Sequence, residues 1–167
     1  TIANVSDGLA NYVDLLGQHA FGNYRTLLEA VATSPVMGIY LSHLRNQKAD
    51  PLTGRVPDEN FAREVMQLFS IGLTEINLDG TPKLVNGQPV ETYTNADITQ
   101  FARVFTGLAF GGSNTNFGLW PRDFTAQMKA WDAEHDLAPK TLLRGEVTPA
   151  RTASPGATGI ATMLDVN

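Results

Sequence analysis

Between Asp58 and Gly72 the apolar residues Phe61, Val65, Leu68 and Phe69 recur at intervals of three and four, and Gly72 closes the run. At about 100° per residue they share one side of a helix, with Glu59, Arg63 and Ser70 on the opposite side and Glu64 at the boundary. Such a stripe must be buried against another element, and this requirement constrains the fold more than any other feature of the chain. The pattern predicts a helix over 58–71, stopped by Gly72. A matching partner lies downstream. Thr94 stands where a cap belongs, and Asp97 takes the capping-box position three residues later. Ile98, Phe101, Ala102, Phe105, Leu108 and Ala109 then share one face of a helix over 95–109, with Gln100, Arg103 and Gly107 on the other. The two aromatic faces are expected to meet.

Shorter helices precede this pair. Ser6-Asp7 caps a segment with Leu9, Val13, Leu15 and Leu16 at roughly helical spacing, and Gly22-Asn23 breaks it. Asn23 caps a second helix with Leu27, Leu28 and Val31 inward. Ser34-Pro35 restarts a third, carrying Val36, Met37, Ile39, Tyr40 and Leu41. Residues 45–57 are polar and rich in breakers, hence a loop. Lys83-Leu84-Val85, Asn86-Gly87 and Gln88-Pro89-Val90 form the pattern of a two-strand hairpin on a type I′ turn, with Pro89 holding it at an edge. The glycine- and asparagine-rich stretch 111–118 is a loop, and 119–131 fits either a short helix or an irregular packing strip. Gly159 to Val166 begins another amphipathic helix that the chain does not finish. The expected fold is mainly α: an irregular multi-helix bundle with one small β-hairpin at about 83–90 and long loops. The 167 residues suffice for one domain, or for part of a larger one with both flanks missing.

Composition excludes several function classes. Twelve Lys and Arg against seventeen Asp and Glu give a net charge of −5, and no basic cluster offers the phosphate neutralisation that nucleic-acid binding requires. With no cysteine there is no disulfide, iron–sulfur cluster or thiolate zinc site. No apolar run approaches the roughly 20 residues of a membrane span. His19 and His43 lack a ligand-like partner at i+3 or i+4, so no metal and no other cofactor is expected. Lys140-Thr141 lacks the glycines of a phosphate loop, and Gly111-Gly112-Ser113 lacks the setting of a nucleophile elbow.

The remaining candidates are acids, bases and arginines. Glu59 and Arg63 form an i,i+4 pair in the favourable order. Glu64 is either a structural carboxylate, pairing with Arg103 or Arg25 to fasten two helices, or a semi-buried group that ligates a metal or carries a proton. Glu134-His135-Asp136 sets three acid–base groups side by side, of which one site can use two at most. Trp120, Phe124 and Trp131 offer flat faces suited to a sugar ring, or simply to a core.

Two segments carry a resemblance. Asp58-Glu59-Asn60-Phe61-Ala62-Arg63-Glu64, leading to Leu68-Phe69-Ser70-Ile71-Gly72, is followed by Tyr93-Thr94-Asn95-Ala96-Asp97 and Ala102-Arg103-Val104-Phe105-Thr106-Gly107. Together they resemble the core signature of the bacterial domain of unknown function 1800. Gly22-Asn23-Tyr24-Arg25 upstream, and His135-Asp136 with Lys140-Thr141-Leu142-Leu143 downstream, fit the same family. Asp58 stands where the family usually has Asn, the hairpin is found in only some members, and the 45–57 loop is longer than in compact ones. The resemblance implies a mostly helical fold and an extracytoplasmic home, periplasmic or secreted, and carries no activity over. It marks Glu59, Asn60, Arg63, Glu64, Asp97, Arg103, Thr106, Gly107, His135, Asp136 and Lys140 as motif positions.

Three functions are then in view. The first is an interaction or scaffold module of an exported assembly, its partner being the remainder of its own polypeptide or another exported protein. The second is a carboxylate- or metal-assisted hydrolase, with Glu64 or His135 as general base, Asp136 beside them, and Glu59, Asn60, Arg63, Arg103 and Lys140 binding substrate. The third is carbohydrate binding through Trp120 and Trp131.

Overall fold

The computed structural model of the protein describes residues 5–152; the amphipathic stretch from Gly159 to Val166 lies outside them. Three helices open the chain: α1 (Ser6–His19), α2 (Tyr24–Thr33) and α3 (Pro35–Tyr40). Asn23 caps α2 by accepting the Arg25 amide at 2.9 Å, and Pro35 starts α3. α1 departs from expectation. Val5, not Ser6, precedes it, without a side-chain cap. Tyr12 and Leu15 pack on the core, while Leu9, Val13 and Leu16 are exposed.

The central pair forms as the aromatic faces require. α4 spans Asn60–Gln67 and α5 spans Asn95–Val104, both shorter than the patterns that announce them. After α4 the chain winds on, and Gly72, at φ +73°, returns its amide to the Met66 carbonyl at 2.9 Å. Glycine supplies the left-handed turn that ends the helix. Leu68, placed inward by the helical projection, is 69% exposed because the helix loosens before it. The capping box of α5 is complete: the Asp97 amide donates to Thr94 Oγ1 and the Asp97 carboxylate accepts from the Thr94 amide. Leu108 and Ala109 leave the helix and form a strand.

Phe61, Val65 and Met66 of α4 and Ile98 and Ala102 of α5 build the core with Val31, Met37, Leu41 and Phe105. Phe61 meets Phe105 edge-on at 4.7 Å between centroids and stacks on His43 at 3.8 Å. Phe69 and Phe101 are half-buried at its margin.

"Mainly α" needs correction to a mixed fold in which helices are prominent: of the described residues 36% are helix, short 3-10 turns included, against 12% strand, isolated bridges included. Three antiparallel pairs are present among the described residues. β1 (Leu84–Val85) with β2 (Gln88–Pro89) is the expected hairpin, Asn86 and Gly87 at φ 52° and 77° making its type I′ turn. β3 (Leu108–Ala109) pairs with β4 (Lys129–Ala130), and β5 (Lys140–Thr141) with β6 (Val147–Thr148). Each strand has two residues, too short to display the alternation by which strands are read.

Candidate functional site

The motif residues at the end of α5 and those at 135–140 come together. Arg103 leaves the last turn of α5, and its guanidinium grips Asp136: Nε donates to Oδ2 at 2.7 Å and an Nη to Oδ1 at 3.1 Å. The remaining donors reach Gln100 Oε1 at 2.6 Å and the Pro139 carbonyl at 3.0 Å. The planar fork of arginine makes this two-point hold possible. Gln100 Oε1 also accepts the Thr141 amide at 3.3 Å, so α5 and the 136–141 segment are stitched at both ends.

Thr106 and Gly107 bring His135 in. Thr106 Oγ1 donates to the Arg103 carbonyl at 2.8 Å and accepts the Asp136 amide at 2.9 Å. The Thr106 carbonyl lies 2.7 Å from His135 Nδ1; a carbonyl only accepts, so Nδ1 carries the proton. Gly107 sits at φ +80°, and a Cβ there would fall 2.7–2.9 Å from His135 Cβ, N and Cα. The Thr-Gly pair is therefore a packing device: glycine lets the two backbones touch, and threonine fills their polar valences.

Lys140 is buried, and its Nζ donates to the carbonyls of Asp136 at 2.5 Å and Ala138 at 3.1 Å. Burial pulls its pKa down, Asp136 pulling the other way. Burial likewise lowers the His135 pKa, against the raising effect of its bond to Thr106. Burial would raise the Asp136 pKa, but the Arg103 guanidinium, the Ala138 amide and the Lys140 charge outweigh it and hold the carboxyl below its ordinary range. Asp136 is thus an ion at neutral pH, His135 a neutral ring.

The other expected site residues stand apart. Glu59 pairs with Arg63 at 3.7 Å, both well exposed, and accepts Thr99 Oγ1 at 2.9 Å, which ties α4 to α5 at the surface. Asn60 is exposed, its amide received by Asp58 Oδ1 at 2.8 Å. Glu64 is half-buried, and its Oε2 has no hydrogen-bond partner among the described residues. Arg103, one of the two expected partners of Glu64, is committed to Asp136 instead. No group of three His, Asp or Glu side chains suited to a metal occurs among the described residues.

The 45–58 loop supplies contacts that no sequence signal marks. Asn46 pairs twice with the Asp58 backbone, Oδ1 to the amide at 2.9 Å and Nδ2 to the carbonyl at 3.1 Å. Its own carbonyl accepts the Gly107 amide at 2.7 Å. Gln47 Nε2 reaches Glu134 Oε2 at 2.8 Å, and Lys48 N the Glu134 carbonyl at 2.9 Å. Glu134 thereby holds the loop, leaving His135 and Asp136 to α5.

The two tryptophans part company. Trp120 is 70% exposed, whereas Trp131 packs edge-on against Phe117 at 6.1 Å with Lys129 Nζ 5.3 Å from its ring.

Fold and site define a helix-rich α/β domain in which six of the motif residues, Arg103, Thr106, Gly107, His135, Asp136 and Lys140, are joined into one clasp between a helix end and a distant loop. The chain belongs to the family described as "Protein of unknown function (DUF1800)", whose model matches residues 3–166. Comparison with curated proteins and with solved structures finds no match.

Proposed function

We propose that this domain is an interaction module, a scaffold of an exported assembly that docks onto another folded part of its own polypeptide. The observation that carries this reading is a run of exposed apolar side chains between α4 and the hairpin: Leu68, Ile71, Leu73, Ile76, Leu84 and Val85. The backbone gathers them. Thr74 bridges to Glu91 and Ile76 to Pro82, so 73–77 lies beside both arms of the hairpin. Exposed apolar side chains gathered along neighbouring backbone segments support an interaction reading. The clasp adds support, because Arg103, Asp136 and Lys140 spend their hydrogen bonds within the fold.

The extracytoplasmic setting rests on the family signature. No helix among the described residues is long and apolar enough to cross a membrane.

Photo-crosslinking tests the proposal. A crosslinking residue at Leu84 of the full-length protein is expected to join a segment outside 68–92. Crosslinks confined to 68–92 contradict docking, and a crosslink to a different protein replaces the intramolecular partner with a separate one.

The hydrolase reading draws on one observation, the unpartnered buried oxygen of Glu64. It would gain if Glu64→Gln abolished a hydrolytic activity of the full-length protein without changing its melting temperature.

A further inference from the structure

Away from the clasp, a cleft of about 750 Å³ opens between the end of α3 and the 110–124 segment. Its volume falls in the range of small-molecule sites, about 300–1,000 Å³. Ile39, Leu44, Phe110 and Phe124 line it, with Phe110 and Phe124 meeting edge-on at 5.1 Å. Val5, Leu119, Trp120, Arg122 and Arg45 complete the lining.

The charge in this cleft is of one sign. Arg45 is fixed by its Nε bond to the Phe117 carbonyl at 3.0 Å, with its guanidinium 5.2 Å from the Phe117 ring centre. Its terminal nitrogens carry no hydrogen bond among the described residues. Arg122 is exposed and makes no hydrogen bond or ion pair among them. The neighbouring Asp123 spends one carboxylate oxygen on the amides of Thr125 and Ala126, each at 2.9 Å. In a chain of net charge −5, a cleft lined by two arginines and no acid favours an anion.

The same lining decides which anion. Val, Ile, Leu, Phe, Trp and Arg side chains supply no hydrogen-bond acceptor. A sugar ring presents several hydroxyl hydrogens that need acceptors, and this cleft would leave them to water or to backbone. An apolar body carrying one anionic group makes no such demand. We infer that the cleft binds a small amphipathic carboxylate: its ring or chain lies on Phe110, Phe124 and the Trp120 indole, and its carboxylate faces Arg122 and Arg45. The guanidinium fork matches a carboxylate in two-point geometry.

Titration calorimetry on the full-length protein tests the inference, with naphthalene-2-carboxylate as the probe and 2-naphthylmethanol as its uncharged counterpart. The carboxylate is expected to bind at least about tenfold more tightly than the alcohol, about 1.4 kcal/mol. Arg122→Ala should weaken the carboxylate by a similar factor, leave the alcohol unchanged, and keep the melting temperature, since Arg122 supports nothing else in the described fold. Equal affinity for acid and alcohol, undiminished binding by the variant, or no binding of either probe overturns the proposal. So does binding of an acidic oligosaccharide, or of an acidic peptide, in preference to the naphthoate.

Discussion

Arg103 and Asp136 stand 33 residues apart in the chain and meet through two parallel hydrogen bonds, 2.7 and 3.1 Å long, with both side chains largely shielded from water. Around this contact the family signature acquires a physical meaning. Gln100, Thr106, Gly107, His135 and Lys140 each either extend the pair's network or allow the two backbones to close around it.

Because the grip depends on a fork of donors, Arg103→Lys is not conservative. Lysine keeps the charge but has three donors on a single nitrogen, where the Arg103 fork makes four hydrogen bonds from three nitrogens. The expected loss is about 1–3 kcal/mol by denaturant unfolding, in line with hydrogen bonds to charged groups. A variant as stable as the parent would show that the charge alone suffices.

Gly107 and Gly54 make a controlled comparison. Both have positive φ, +80° and +73°, but only at Gly107 would a Cβ strike backbone; Gly54 faces open space. Gly54→Ala should cost about 1–2 kcal/mol, the strain of a left-handed alanine. Gly107→Ala should cost more, because the 135 segment must move as well. Equal losses in thermal unfolding would remove the close-approach argument.

His43 sets part of the acid sensitivity. It is 1% exposed, its ring bonds the Ala32 carbonyl through Nε2 at 2.9 Å, and its Nδ1 has no partner among the described residues. Burial lowers its pKa from 6.5 to about 4. A base whose folded pKa is depressed takes up its proton more readily when unfolded. Its contribution is therefore intact above pH 6.5 and declines as pH falls from 6.5 toward 4, by on the order of 3 kcal/mol. His135 acts in the same direction. Asp136, an acid with a lowered pKa, loses its contribution only at lower pH, below the ordinary aspartate range. The pH profile of His43→Gln should be flatter between 6.5 and 4 than that of the parent; parallel profiles would contradict the assignment.

The core predicts a ranking of aromatics. Phe61 is 1% exposed and touches both His43 and Phe105, whereas Phe69 is half-buried. Phe61→Ala should cost about 3–5 kcal/mol. Phe69→Ala should cost clearly less, since its site opens to water. The reverse order in urea unfolding would mean that α4 presents a different face.

What could be read from the sequence was local. The Thr94–Asp97 box, the Asn86-Gly87 turn and the Pro35 start depend on neighbours within a few positions, and each forms as expected. The helical projection found the buried face of α4 through Phe61 and Val65, because two heavy aromatic stripes had each other to pack on. In α1, Leu9, Val13 and Leu16 are at helical spacing but exposed: periodicity tells which residues share a face, not whether anything covers it. Arg103 illustrates the same boundary at the candidate site. Its choice of Asp136 over Glu64 depends on how the chain from β3 to β5 returns to α5, and that path is set by two-residue strands without alternation. The cleft escaped for a similar reason. Arg45 and Arg122 are 77 positions apart, and nothing in either neighbourhood marks them as a pair.

If the charges of Arg103 and Asp136 serve the fold, a double-mutant cycle on the two measures it directly. Unfolding free energies of the parent, Arg103→Ala, Asp136→Ala and the double variant should yield a coupling of about 1–3 kcal/mol, with each single change destabilising. A coupling indistinguishable from zero, with the single variants as stable as the parent, would contradict the account and free both residues for a role in chemistry.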